Sequence, residues 1–203
     1  KLPSQLRATL SGDYTADLGF MGDEWRFGLD FFYSKVRNQV FFTDIRSVQS
    51  GLLTPDGRPR YVPVTLNANG TRNFNDTGTD ILLTNTGKGR AYVAVARFDK
   101  SWDFGLNIYG SFTYQDVKDQ TPATSSTAGS NYLNGAFFDP NRAQYATSND
   151  EVKYIFKYGL TFDHAFFGDY KTRVALFGQT RIGHPFSYTF TDPSGGRSPV
   201  FGT

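Results

Sequence analysis

Along 102–115 the chain reads WDFGLNIYGSFTYQ. Apolar side chains fall on every second position, at Phe104, Leu106, Ile108, Phe112 and Tyr114, with Asp103, Asn107, Ser111, Thr113 and Gln115 between them. A period of two marks an extended strand whose alternate side chains leave on opposite faces. The pattern recurs at Trp25, Phe27, Leu29, Phe31 and Tyr33, again at Val152, Tyr154, Phe156, Tyr158, Leu160 and Phe162, and by twos from Tyr170 to Ile182. Gly and β-branched residues interrupt most windows long enough for a helix, and both disfavour one. The alternation predicts an all-β chain with six strands, near 4–16, 24–42, 89–99, 102–117, 151–164 and 170–183.

The connections alternate in length. DLGFMGDE, DKS and FFGDY are short and turn-like, whereas 43–88 and 118–150 are long and rich in Gly, Asn, Thr, Ser and Pro. In an antiparallel up-and-down meander successive connections fall at opposite ends, so every short turn shares one end and every long loop the other. Outer-membrane barrels segregate their loops in this way, with short periplasmic turns and long extracellular loops. The final TDPSGGRSPVFGT is rich in turn residues and falls at the long-loop end, where it reads as the start of a third long loop.

None of the apolar register positions is charged. Arg26, Asp30, Asp103, Lys153, Lys157, Asp163, Lys171, Arg173 and Arg181 all occupy the intervening positions. In a barrel this polar face lines the lumen, because a Lys or Arg at the bilayer midplane costs about 2–4 kcal/mol. A soluble β-sandwich produces the same alternation with its apolar side turned inward. The aromatic residues favour lipid. Phe20 and Trp25 flank the first short turn, Phe98 and Trp102 the second, and Phe166, Phe167 and Tyr170 the third, as in an interfacial girdle. Tyr33, Phe41, Phe42, Tyr114, Tyr154, Phe186 and Tyr188 form a second set at the opposite strand ends.

Composition narrows the picture. With 203 residues there is room for one domain; aromatics make up 17% of it, as 20 Phe, 12 Tyr and 2 Trp against a single Met. A net charge of +2 with no run of Lys and Arg sets nucleic-acid binding aside. Cysteine is absent, which removes disulfides, thiolate-bound zinc and thiol catalysis. No stretch approaches the roughly 18 consecutive apolar residues of a membrane helix. The opening KLPSQLRATL lacks a signal-peptide pattern, so any export signal is expected to have been removed or to lie upstream of it.

The strings LPSQLRATL, YSKVRNQVFF, TPDGRPRY, LLTNTGKGR, TSSTAGSNY, FFDPN and FFGDYKTRVALFGQTRIGHPFSYTF follow one another along the chain. In that order they resemble the barrel of the Oar-like branch of TonB-dependent outer-membrane receptors, over nearly the whole length. The resemblance implies a barrel of about 22 strands filled by an N-terminal plug. It also implies an energy-coupling protein of the TonB type that reaches the plug, a location in the bacterial outer membrane against its lipid, and uptake of an extracellular ligand. No enzyme activity or cofactor is implied. Six strands do not close such a barrel, so 1–203 are expected to form a partial transmembrane β-barrel domain whose plug and closing strands lie elsewhere. Two other readings stay open: a self-contained barrel acting as an adhesin or structural anchor, which needs at least eight strands, and a soluble carbohydrate-binding β-sandwich.

The resemblance places ligand capture in the long loops. In the first, Arg58, Arg60 and Tyr61 suit an anionic or ring-bearing ligand, or serve as turn residues and solvated charges. In the second, Asn131, Tyr132, Phe137, Phe138 and Arg142 offer amphipathic contacts, or the two Phe pin the loop to the rim. Arg26, Asp30, Lys153, Lys157 and Arg173 are the lumen-facing set, placed to hold a plug, line a route or pair across strands. Asp44, Asp56, Asp76, Asp80, Asp116 and Asp119 lack the spacing of a calcium loop, so no metal is expected. The sequons at Asn69 and Asn75 read as loop residues. His164 and His184 have no partnering nucleophile motif, which leaves no catalytic pair to nominate.

Overall fold

A computed structural model describes residues 1–73, 78–120, 125–135, 137–190 and 200–201. Asp76, the sequon at Asn75 and most of the expected third loop lie outside these residues. The strands are β1 (Ser4–Ala16), β2 (Trp25–Asp44), β3 (Ser47–Leu53), β4 (Pro59–Pro63), β5 (Thr65–Leu66), β6 (Arg72–Asn73), β7 (Ile81–Thr86), β8 (Arg90–Ser101), β9 (Leu106–Asp119), β10 (Ala146–Thr147), β11 (Tyr154–Phe167), β12 (Tyr170–Arg181), β13 (Thr189–Phe190) and β14 (Val200–Phe201). One short helix, α1 (Ala128–Leu133), lies in the second long loop.

The chain is mainly antiparallel β-sheet. Its six long strands form a meander in the order β1-β2-β8-β9-β11-β12, and among the described residues the sheet is open, with β1 and β12 each paired on one side only. The expected strands appear in place, although the first long loop is more structured than its composition predicts. β2 runs on to Asp44, beyond the end of β8, and its upper half pairs with β7, Gln39 opposite Thr86 through Asp44 opposite Ile81. The loop folds back along β2 with Phe42 opposite Leu83, an apolar cross-strand pair, and with Thr43 opposite Leu82 beside it.

The short turns use backbone geometry that their sequences supply. Between β8 and β9, Trp102 N–H donates to the Leu106 carbonyl at 2.8 Å and Gly105 N–H to the Trp102 carbonyl at 2.9 Å. Gly105 has φ +98°, and a Cβ there would stand 1.9 Å from the Asp163 carbonyl oxygen. Glycine is therefore required twice over, by conformation and by the approach of β11.

Register arranges the side chains in rows across the sheet. On one face Leu10, Phe31, Ala94, Tyr114 and Tyr154 lie in one row, and Gly12, Leu29, Ala96, Phe112, Phe156 and Thr180 in the next. On the other face Asp13, Gly28, Arg97, Ser111, Lys157 and Gln179 share a row. The polar face is not uniformly polar, since Phe32, Val93, Val95, Tyr109 and Phe177 also occupy it. Among the described residues no layer covers the apolar face. Leu29 is 61% exposed and Leu176 68%, and Trp25, Tyr132 and Val152 are the buried hydrophobic residues among those described. The sandwich alternative requires a second sheet against this face, and the remaining pairings, β3–β4, β5–β6 and β13–β14, are each two-stranded.

Without a covering layer, packing comes from within the sheet. Phe98 lies over Gly110, where a Cβ would meet its ring at 2.5 Å, and Tyr158 lies over Gly178, where the distance would be 2.3 Å. A ring folded over a cross-strand glycine buries apolar area that a single-layer sheet otherwise leaves open. At the short-turn end Trp25 packs edge-on to Trp102 at 5.8 Å and stacks with Phe27 at 6.1 Å, and its indole N–H donates to the Met21 carbonyl. Gly110→Val is expected to dislodge Phe98 and cost about 1–3 kcal/mol. Gly12→Val, at a site with nothing within 4 Å, should be close to neutral; denaturant midpoints of the two variants in detergent check the contrast.

Candidate functional site

The two long loops fold against each other above the sheet, and Asn141 joins them. Its Oδ1 accepts from the Thr43 hydroxyl at 3.0 Å, the Asp44 N–H at 2.9 Å and the Tyr132 hydroxyl at 2.9 Å, while its Nδ2 donates to Ser47 Oγ at 2.9 Å. Asp139 sets its position by accepting the Asn141 N–H at 3.0 Å, a local Asx turn across Pro140. One side chain thus links the end of β2, the start of β3, and α1.

The nominated loop residues surround this joint. In TPDGR, Thr54 N–H donates to the Arg58 carbonyl at 2.8 Å, and Gly57 N–H to the Thr54 carbonyl at 2.9 Å with φ +80°, so the turn aims Arg58 inward. Arg58 is 4% exposed; it pairs with Asp56 at 2.8 Å, and its Nη1 donates to the Phe137 carbonyl at 2.6 Å. Tyr61 donates its hydroxyl to Asp139 at 3.0 Å, and Arg142 pairs with the same carboxylate at 3.5 Å. Burial, reinforced by that hydrogen bond and the negative charge of Asp139, raises the Tyr61 hydroxyl to about 12.

Tyr132 is buried against Asn141, and Asn131 holds Ser125 through both ends of its amide, at 2.9 and 2.8 Å. Arg60 turns back to the Leu53 carbonyl at 3.0 Å. Tyr61, Tyr132 and Arg142 therefore converge on the Asp139–Asn141 joint and Arg58 reaches the nearby Phe137 carbonyl, whereas Asn131 and Arg60 brace their own loops. Arg142 keeps its guanidinium in solvent, with the side chain 78% exposed. Phe138 is 61% exposed.

The lumen set follows the polar face. Arg26 pairs with Asp99 at 3.4 Å, Asp30 with Arg97 at 3.2 Å and Arg173 with Asp163 at 2.6 Å, and Arg97 also reaches Asp13 at 2.7 Å. Lys157 shares the face without an ion pair to any described residue, and Lys153 immediately precedes β11. Of the nominated aspartates, Asp44 accepts from the Arg46 and Asp80 N–H groups, and Asp80 binds the Arg46 guanidinium in two places. Among the described residues no three His, Asp or Glu side chains gather closely enough to hold a metal. His164 stacks on Phe162 at 5.7 Å, inside the aromatic cluster of the short-turn end.

Sequence reasoning missed Asn141. The DPN turn was visible, but the partners of its side chain stand up to 98 residues away and no local pattern marks them. No protein-family model, curated protein or solved structure matches the chain.

Asn141→Ala removes the acceptor shared by three donors and is expected to cost about 1–3 kcal/mol in the loops. The change should appear as faster amide exchange at residues 43–63 with β8, β9 and β11 unchanged. The Tyr61 contact depends on a neutral phenol favoured by folding. Its contribution is complete below the ordinary tyrosine value of 10.0 and is lost as pH rises through about 12. Loop protection in the parent should fall across that window, and in Tyr61→Phe it should be lower from the outset and flat.

Proposed function

We propose that the chain is a wall segment of a TonB-dependent outer-membrane receptor, in which the long loops capture a ligand and energy-coupled uptake passes it inward. The observation that carries this reading is the uncovered apolar band. Trp25 to Tyr33, Leu106 to Tyr114 and Tyr154 to Phe162 each run nine residues across it, with five of the nine on the apolar face. That is the length a tilted strand needs to cross the hydrocarbon layer. The charges on this face stand at its margins, with Lys100 at the short-turn end and Lys35, Arg90, Asp116 and Lys118 at the long-loop end. Lys100 is 6% exposed; it donates to the Asp23 carbonyl and lies 5.4 Å from the Trp102 ring, an arrangement suited to headgroup depth.

A single-layer sheet of this amphipathicity is unstable in water and suited to a bilayer, where the ladder satisfies the backbone and lipid covers the band. No described helix is long and apolar enough to cross a membrane, which leaves strand crossing untouched. The ion-paired opposite face is compatible with a hydrated lumen. An adhesin or structural barrel would share the band and the girdle. The receptor reading is preferred because the two loops are built into one folded cap, and because of the ordered strings described above.

Cysteine substitution on this Cys-free background tests the reading in isolated outer membranes of cells expressing the full gene product. Leu106→Cys and Phe156→Cys should react with a lipid-soluble maleimide, and Asn107→Cys and Lys157→Cys with a polar one. Resistance of both apolar positions to every reagent until unfolding would overturn it.

A further inference from the structure

The apolar face changes its chemistry in three steps toward the long loops. Leu10, Phe31, Ala94, Tyr114 and Tyr154 form the last row without a charge. Ala8, Tyr33, Tyr92 and Asp116 follow, with the two phenol rings 5.1 Å apart. The third row is Leu6, Lys35, Arg90, Lys118 and Thr147, so three cations stand directly opposite one another on β2, β8 and β9. Successive rows are about 7 Å apart along a strand, and neighbouring strands about 4.8 Å apart. Apolar side chain, amphipathic ring and cation thus succeed one another in the order in which a bilayer passes from hydrocarbon to headgroup.

Like charges directly opposite each other destabilise a sheet, so this row calls for an anion. The surrounding chain supplies little of it. Arg90 meets the Asp116 carboxylate at 3.6 Å and lies 5.3 Å from the Tyr92 ring, and its side chain stays 37% exposed. Lys35 is exposed and Lys118 half-buried, and neither ammonium group has a hydrogen bond or ion pair to a described residue. The acids nearest in sequence are committed elsewhere. Glu151 is buried and accepts the Val117 N–H at 2.6 Å, and Asp119, on the opposite face from Lys118, accepts the Ser148 hydroxyl at 2.5 Å. Three cations against one carboxylate leave two positive charges in excess on these rows.

We propose that the Lys35–Arg90–Lys118 row binds the phosphate of an anionic lipid headgroup in the leaflet on the long-loop side, while the acyl chains of that lipid cover the apolar rows beneath. A phosphate accepts from several donors at once, and basic clusters at the membrane boundary are its ordinary partners. The row is continuous with the apolar band, so a lipid gains from both ends where a soluble anion gains from one. This site rests on the wall-segment reading, since only lipid against the apolar face carries a headgroup to the row.

Native mass spectrometry of the full gene product in detergent, with phosphatidic acid and phosphatidylcholine as probes, tests the site. Phosphatidic acid should bind saturably and more tightly than phosphatidylcholine, whose choline offsets the phosphate charge. Removing a cation near the headgroup weakens an anionic lipid by about fivefold, so Lys35→Gln combined with Lys118→Gln should lower phosphatidic acid binding by roughly twenty- to thirtyfold. The double Arg variant at the same two positions should keep the preference, and Lys171→Gln, on the polar face, should leave it unchanged. Inorganic phosphate at equal concentration should not displace the lipid. Equal binding of the two lipids, an undiminished preference in the double Gln variant, or displacement by inorganic phosphate would overturn the proposal. Any of these results beside the expected cysteine labelling discards the headgroup site alone. Resistance of Leu106→Cys and Phe156→Cys to every reagent discards the wall segment and the site with it.

Discussion

Register across the six long strands is the constraint on which the rest of the molecule depends. Side chains alternate with a period of two, so a slip of one residue at any ladder would carry a row of Phe and Tyr to the charged face and a row of Arg and Asp to the apolar one. The pairings hold without a break from Arg26 opposite Asp99 to Lys35 opposite Arg90, and from Tyr154 opposite Tyr114 to Phe162 opposite Leu106. Two features oppose slippage. Rings seated over cross-strand glycines fit at one offset only, and the ion pairs Arg26–Asp99 and Asp163–Arg173 join residues directly opposite each other. The registry that produces the apolar band is therefore held by contacts on both faces.

Much of the sheet was legible in the sequence because its determinants are local. Period-two alternation located every long strand to within a few residues, and loop length gave the sense of the meander. Three things were not legible. The partner exchange of β2 depends on 81–86 folding back onto 39–44, and the Asn and Thr of ILLTNT disguise a strand as a loop. The helix α1 is too short to show periodicity. The joint at Asn141 depends on contacts that no window of sequence contains. Arg58 and Tyr61 stood out as loop residues worth naming, and the fold adds what their sequence context did not show, the reach of each to the second loop at Phe137 and Asp139.

The Asn141 joint has a consequence for how the loop end responds to what it meets. Two long loops that moved independently would each lose conformational entropy on engaging a ligand, and that loss would be subtracted from affinity. Bound together by the Asn141 amide, by the Arg58 guanidinium on the Phe137 carbonyl and by the Tyr61 hydroxyl on Asp139, they have given up much of that freedom during folding. They act as a single preorganised body, so a contact made with either loop is also felt by the other.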